Sequence, residues 1–174
     1  MTQTASSLAA PGSVSCDAIT QLFNTIFATE NTILQGGADE PYFRPAGVFT
    51  PAVIHFRADY LRSALHEVAH WCVAGKARRL LDDYGYWYSP DDRDAVEQAA
   101  FFAVEARPQA LESLFCDALG LAFSPSIDNF TLTIGAEPRA DFEQRIATAR
   151  RNYTNNGLPP RAGTFLKLLT TLPK

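Results

Sequence analysis

The stretch Leu65-His66-Glu67-Val68-Ala69-His70-Trp71 constrains this chain more than any other. Two histidines four apart on a helix lie on one face, one turn above the other. That spacing lets both imidazoles reach a single ion. Glu67 sits ~100° further round the helix, near enough to meet a metal-bound water without being a ligand. The chain has three histidines, and two of them are here. The plain alternative is a pair of exposed histidines that bind nothing. The motif also leaves the metal open. It serves zinc hydrolases, and with one more carboxylate it forms the two-histidine, one-carboxylate face of non-haem iron.

The flanking sequence predicts the helix that carries the motif. Leu61, Ala64, Leu65, Val68, Ala69, Cys72 and Val73 recur at helical spacing, Asp59 is placed to cap them, and Gly75 to end them. Downstream, Asp91 to Arg107 reads as a second helix with acidic residues in its first turn. Pro108 predicts a break or a kink there, because it removes a helical bond to Val104. A further helix then runs from Gln109 to Leu119 and stops at Gly120. Two carboxylates in this region can face the histidines, Glu97 and Glu105. By this reading Glu105 falls at a helix end beside Phe101, Phe102 and Val104, where a carboxylate is costly unless paired or coordinated. Spacing alone leaves Glu97 open. Glu112 is expected to face solvent or to support a ligand from behind.

Elsewhere the pattern is helical with one short strand. Ile19, Leu22, Phe23, Ile26 and Phe27 predict a packing helix, capped by Ser15 or Asp17. Gly36-Gly37 and the following Asp39 to Pro45 read as an irregular loop. Val53, Ile54 and Phe56 predict a buried strand from which His55 alternates outward. Phe130, Leu132 and Ile134 suggest another strand. Pro138 to Tyr153 and Pro160 to Leu172 predict two last helices.

Composition bounds the rest. A chain of 174 residues, 47% apolar, is expected to form one domain with a real core, and the predicted elements make it α+β: helix-rich over residues 16–174 with a small sheet and the H-E-x-x-H helix. Residues 1–15, rich in Ser, Thr, Ala, Gly and Pro, predict a disordered leader. A net charge of −4 argues against direct nucleic-acid binding. No apolar run reaches membrane-spanning length, and no secretory signal opens the chain. Three scattered cysteines fit reduced thiols in a cytoplasm.

Two surface features remain. Lys76, Arg78 and Arg79 form a basic group, either a solvated face or a docking patch for an acidic partner. Tyr84, Tyr86, Trp87 and Tyr88 crowd four rings into five positions, more than one strand face can bury. They pack as core from both sides, or some are presented as a substrate wall or interface.

Three runs carry a resemblance: SALHEVAHWCVAGKARR from Ser63, DDYGYWYSPDDRD from Asp82, and VEARPQALESLF from Val104. Together they resemble the bacterial elongation factor P hydroxylase family, with similarity from about Ile19 to Leu169 and densest from Ser63 to Phe115. The chain departs from the family's usual residues at Ala58, Asp92 and Phe102.

The resemblance implies a compact fold unlike the jelly-roll oxygenases, with a local arrangement around the motif like that of zincins. It implies His66, His70 and Glu105 as the metal face, so it selects Glu105 over Glu97. It implies hydroxylation of the β-lysylated lysine of elongation factor P, using a metal taken as Fe(II), and molecular oxygen. Glu67 is then expected to orient a ligand or bound water. Tyr86, Trp87 and Tyr88 would hold the lysine stem, and Asp91 or Asp94 its ammonium. The rival reading is a zinc metallopeptidase with the same ligands and Glu67 as general base. A third is a non-catalytic domain stapled by a structural ion, which normally needs four protein ligands.

Overall fold

A computed structural model describes residues 14–85, 93–127 and 134–172. Helix α1 (Cys16–Ile26) is capped by Ser15, whose hydroxyl accepts from Ala18 N–H, and it buries Ile19 and Phe23. Three strands follow: β1 (Thr32–Ala38), β2 (Tyr42–Arg44) and β3 (Ala52–Arg57). They form one mixed sheet in the order β1-β3-β2. β1 runs parallel to β3, and β2 antiparallel to it. β3 is therefore the central strand, which its unbroken burial of Ala52, Val53 and Ile54 explains.

The glycine-rich stretch expected to be a loop is edge strand β1. Gly36 is glycine for a steric reason: a Cβ there would meet the Phe56 ring at 2.6 Å and the Ala58 carbonyl at 2.8 Å. A bulge between Gln35 and Ala38 accommodates this approach. Asn24 of α1 covers the outer side of β1. It donates to the Leu34 carbonyl at 3.1 Å and accepts from Leu34 N–H at 2.7 Å. β2 also replaces part of the expected loop. It is three residues long and carries one buried ring, Phe43, too short a pattern for periodicity to reveal.

The motif helix is α2 (Leu61–Val73), packed against β3. Asp59 does not cap it. The N-cap is Tyr60, with no side-chain bond, and the Asp59 carbonyl instead accepts from the Cys16 thiol at 2.7 Å. The helix ends before Gly75, at the extended Ala74.

α3 (Ala95–Leu119) is a single helix of 25 residues that continues through Pro108. The expected break does not occur. One lost bond in a long helix costs ~3 kcal/mol, and α3 has strong reasons to stay continuous. Asp94 and Glu97 form a full capping box, Gly120 closes the other end at φ 70°, and fourteen of its residues are buried. α4 (Ala136–Asn156) packs along it, with Phe102 stacked on Phe142 at 4.2 Å. α5 (Pro160–Leu169) closes the core, where Phe165 meets Phe23, Phe27 and Phe115.

The architecture is α+β and helix-rich, with one small sheet. Among the described residues no helix is long and apolar enough to cross a membrane. Most of the expected leader (residues 1–13) and the possible strand residues Phe130 and Leu132 lie outside the described residues, and Ile134 belongs to no strand.

Candidate metal centre

α2 and α3 pack against each other, and their facing sides carry the polar residues of the core. From α2 come His66 and His70, and from α3 come Glu105, Gln109 and Glu112, all three buried. These positions on α3 are four and three apart and share one helical face.

His66 Nε2 and His70 Nε2 lie 3.0 Å apart. Glu105 Oε1 is 3.1 Å from His70 Nε2, and Glu105 Oε2 is 3.5 Å from His66 Nε2. One ligand atom from each of the three lies within 4.8 Å of the others. Donors ~2.1 Å from a common ion stand ~3.0 Å apart at neighbouring octahedral corners and ~3.4 Å apart in a tetrahedron. The 3.0 and 3.1 Å separations about His70 fall in that range, and the 3.5 Å between His66 Nε2 and the other Glu105 oxygen lies just beyond it. The donor set is also chemically suited to a cation. Nδ1 of His66 lies 2.9 Å from Glu112 Oε2, so the carboxylate takes the ring proton on that side. When the ring is neutral, as a ligand must be, Nε2 keeps its lone pair facing the point shared by the other two groups.

The electrostatics call for positive charge between the helices, which protons on the imidazoles or a bound cation in their place would supply. Burial opposes a charged His66, but the Glu112 hydrogen bond and the charges of Glu105 and Glu112 outweigh it and push its pKa to about 10. His70 is raised too, with burial overcome by the charge and hydrogen bond of Glu105. Burial pushes the Glu105 carboxyl up, but His70 and then His66 bring it down to about 2. A carboxylate 3% exposed is thus held ionised by the imidazoles, and the site as a whole favours positive charge at its centre.

The other expected residues are placed as follows. Glu67 is buried on the same turn, and burial raises its pKa against the opposing charges of His70 and His66. Glu97 is spent in the capping box, its carboxylate accepting from Asp94 N–H at 3.1 Å, at the exposed start of α3. Asp94 is the N-cap, accepting from Val96 and Glu97 N–H at 2.8 and 2.9 Å. Tyr86, Trp87, Tyr88 and Asp91 lie outside the described residues. Arg78 donates to the Tyr84 carbonyl and Arg79 to the Ala74 carbonyl, each at 2.9 Å, so both guanidinium groups tie backbone together. Lys76 is exposed. His55 stacks on Tyr42 and is not part of the cluster.

Periodicity gave no sign of Tyr84 or Gln109 as supporting residues, whereas Glu112 was expected either to face solvent or to support a ligand. Tyr84 lies flat against Phe43 at 4.2 Å and parallel to the His70 ring at 6.4 Å, so it lines the far side of that imidazole. Gln109 donates to Glu105 Oε2 at 3.3 Å. Glu112 had one usable signal, its place seven residues beyond Glu105 on the same face.

The fold and site define a class: a helix-rich α+β protein whose buried polar centre is two imidazoles and one carboxylate on adjacent helices. Sequence comparison identifies the family. The model of the Elongation factor P hydroxylase family matches residues 22–172. The Elongation factor P lysine hydroxylase of Haemophilus influenzae is 44% identical over 154 residues, which cover 87% of this chain and 85% of that relative. The chain belongs to the elongation factor P hydroxylase family.

Proposed function

We propose that this chain hydroxylates a lysine side chain of elongation factor P after that lysine has received its β-lysyl group. Family membership supplies the reaction class, and the observation that carries the site is the convergence of His66, His70 and Glu105. Those three side chains would hold the metal, which we take as Fe(II). Bound there, such a metal would supply the activation of molecular oxygen on which hydroxylation of a carbon–hydrogen bond depends.

The chain's own residues do the rest. Glu105 contributes the one negative charge among three ligands, leaving room for small molecules beside it. Glu112 and Gln109 hold His66 and Glu105 in place. Glu67, buried on the same turn, orients what binds next to His66 and His70. His66 is the more exposed imidazole, 23% against 11% for His70, so the substrate side chain approaches over it. Tyr86, Trp87 and Tyr88 follow Tyr84 and Gly85 directly in sequence, and we assign them the lysine stem, with Asp91 or Asp94 for its ammonium. Lys76 is the basic residue best placed to meet an acidic partner. The reading puts the protein in the cytoplasm with translation.

Replacing His70 with Ala removes one ligand and abolishes hydroxylation while the protein stays folded. The measurement is mass spectrometry of β-lysylated elongation factor P incubated with the iron-loaded enzyme. One added oxygen is expected with the native chain and none with the variant. A fully active H70A would remove the ligand assignment.

A further inference from the structure

Glu112 is buried beside the cluster, yet it is not one of its three convergent donors. Both of its oxygens are spent elsewhere. Oε2 accepts from Nδ1 of His66 at 2.9 Å. Oε1 accepts from Nε of Arg62 at 3.2 Å and from its Nη2 at 2.8 Å. Arg62 is fixed in turn from the far side: Nη2 donates to the Ser124 carbonyl at 2.9 Å, and the guanidinium lies 5.4 Å from the centre of the Phe123 ring.

We infer that Glu112 is a positioning residue for His66, locked in that role by Arg62 and the 121–127 segment. A neutral imidazole carries one proton. An acceptor at Nδ1 keeps that proton away from Nε2 and stops the ring from turning about its Cβ–Cγ bond. Without Glu112 both freedoms return. Arg62 decides which way the carboxylate faces. By holding Oε1 it aims Oε2 at the imidazole and keeps the group out of the centre itself. The same segment secures the third ligand. Gln109 donates to Glu105 Oε2 and exchanges two bonds with Ser126, at 2.8 Å to its carbonyl and 3.0 Å from its N–H. One irregular segment therefore braces a ligand on each helix.

This inference rests on the reading of His66, His70 and Glu105 as metal ligands, and the test separates the two. Co(II) serves as the probe on the full chain. Its affinity is read by competition with a chelator, its visible spectrum reports ligand geometry, and thermal unfolding of the metal-free protein reports folding. Glu112→Ala binds Co(II) ten- to hundredfold more weakly, with an altered spectrum. Glu112→Gln keeps an acceptor oxygen and falls between native and E112A. Arg62→Met moves affinity and spectrum the same way by less, and its half-exposed position keeps it folded should E112A not fold. Native affinity and spectrum in E112A, or in R62M where E112A is unfolded, would overturn the inference, as would E112Q falling as far as E112A. His70→Ala is the control. If H70A loses Co(II) while E112A keeps it, only the positioning role fails. If H70A keeps it, the metal-centre reading itself fails.

Discussion

Tyr84 is the residue whose conformation is hardest to account for by packing alone. Asp83 and Tyr84 both adopt left-handed backbone, φ 47° and 57°, ahead of Gly85 at φ 70°. For an ordinary L-residue this costs roughly 1–2 kcal/mol, and the cost is offset by the ring's position between Phe43 and His70. The hydroxyl is a second cost: among the described residues it is buried with no hydrogen-bond partner. Leaving such a group unsatisfied costs ~1–3 kcal/mol. Tyr84→Phe therefore raises stability by about 1 kcal/mol, read as a higher urea midpoint at unchanged slope. Tyr84→Leu, which keeps burial but loses the flat ring, lowers it. A drop in Y84F would mean that the hydroxyl has a partner in solution. None of this was legible in sequence, because a run of positive φ leaves no signature unless glycine occupies it. The two histidines were legible because four-residue spacing has one helical meaning. Glu105 was singled out by a partly mistaken route. Burial marked it correctly, but it stands inside a helix, and its partners are the two imidazoles.

At the scale of elements, α5 supports the end of α2 that lies one turn beyond His70. The C-terminal carbonyls of α2 are satisfied by a residue 90 positions away. Arg161 donates to the carbonyls of Trp71 at 2.8 Å, Cys72 at 3.4 Å and Ala74 at 2.7 Å, while its guanidinium lies 4.3 Å from the Trp71 ring centre. One cation thus caps the negative end of the helix dipole one turn beyond His70. Arg161→Met removes it at a cost of about 2–3 kcal/mol, measured by urea unfolding. Arg161→Lys recovers less than half, because an ammonium loses the flat contact that the planar guanidinium makes with the Trp71 ring. Equal stability of native and R161M would show that water caps the helix as well. The interior of α2 was readable, while its C-terminal support was not, since a long-range cap needs the fold to bring it near. The same distinction explains the other misses. Pro108 carries a local penalty that the capping box, the glycine stop and a long buried face override. β1 was hidden because Gly36 is there to admit the Phe56 ring, and sequence reasoning reads paired glycines as a turn.

For the whole molecule, the centre joins two elements that otherwise meet only through side chains, α2 after the sheet and α3 after the strained turn. An ion bound by His66, His70 and Glu105 ties the two helices together in the native state and has no comparable site in the unfolded chain. Its binding is therefore also folding free energy. With free metal at ~100 times the dissociation constant, the native state gains ~2.7 kcal/mol. For a chain of this size each kcal/mol moves the melting temperature by ~2–4 °C. Anaerobic addition of Fe(II), or Co(II) in its place, accordingly raises the melting temperature by ~5–10 °C, and a chelator reverses it. H70A shows little or no rise at the same metal concentration, although its metal-free form melts near the native value minus the loss of one buried ring. The comparison of slopes matters more than either melting point. A melting temperature that climbs with metal in the native chain and stays level in H70A ties the stabilisation to this centre. Parallel climbs in both would place the ion elsewhere on the surface and leave the three convergent side chains as an ordinary buried charge network.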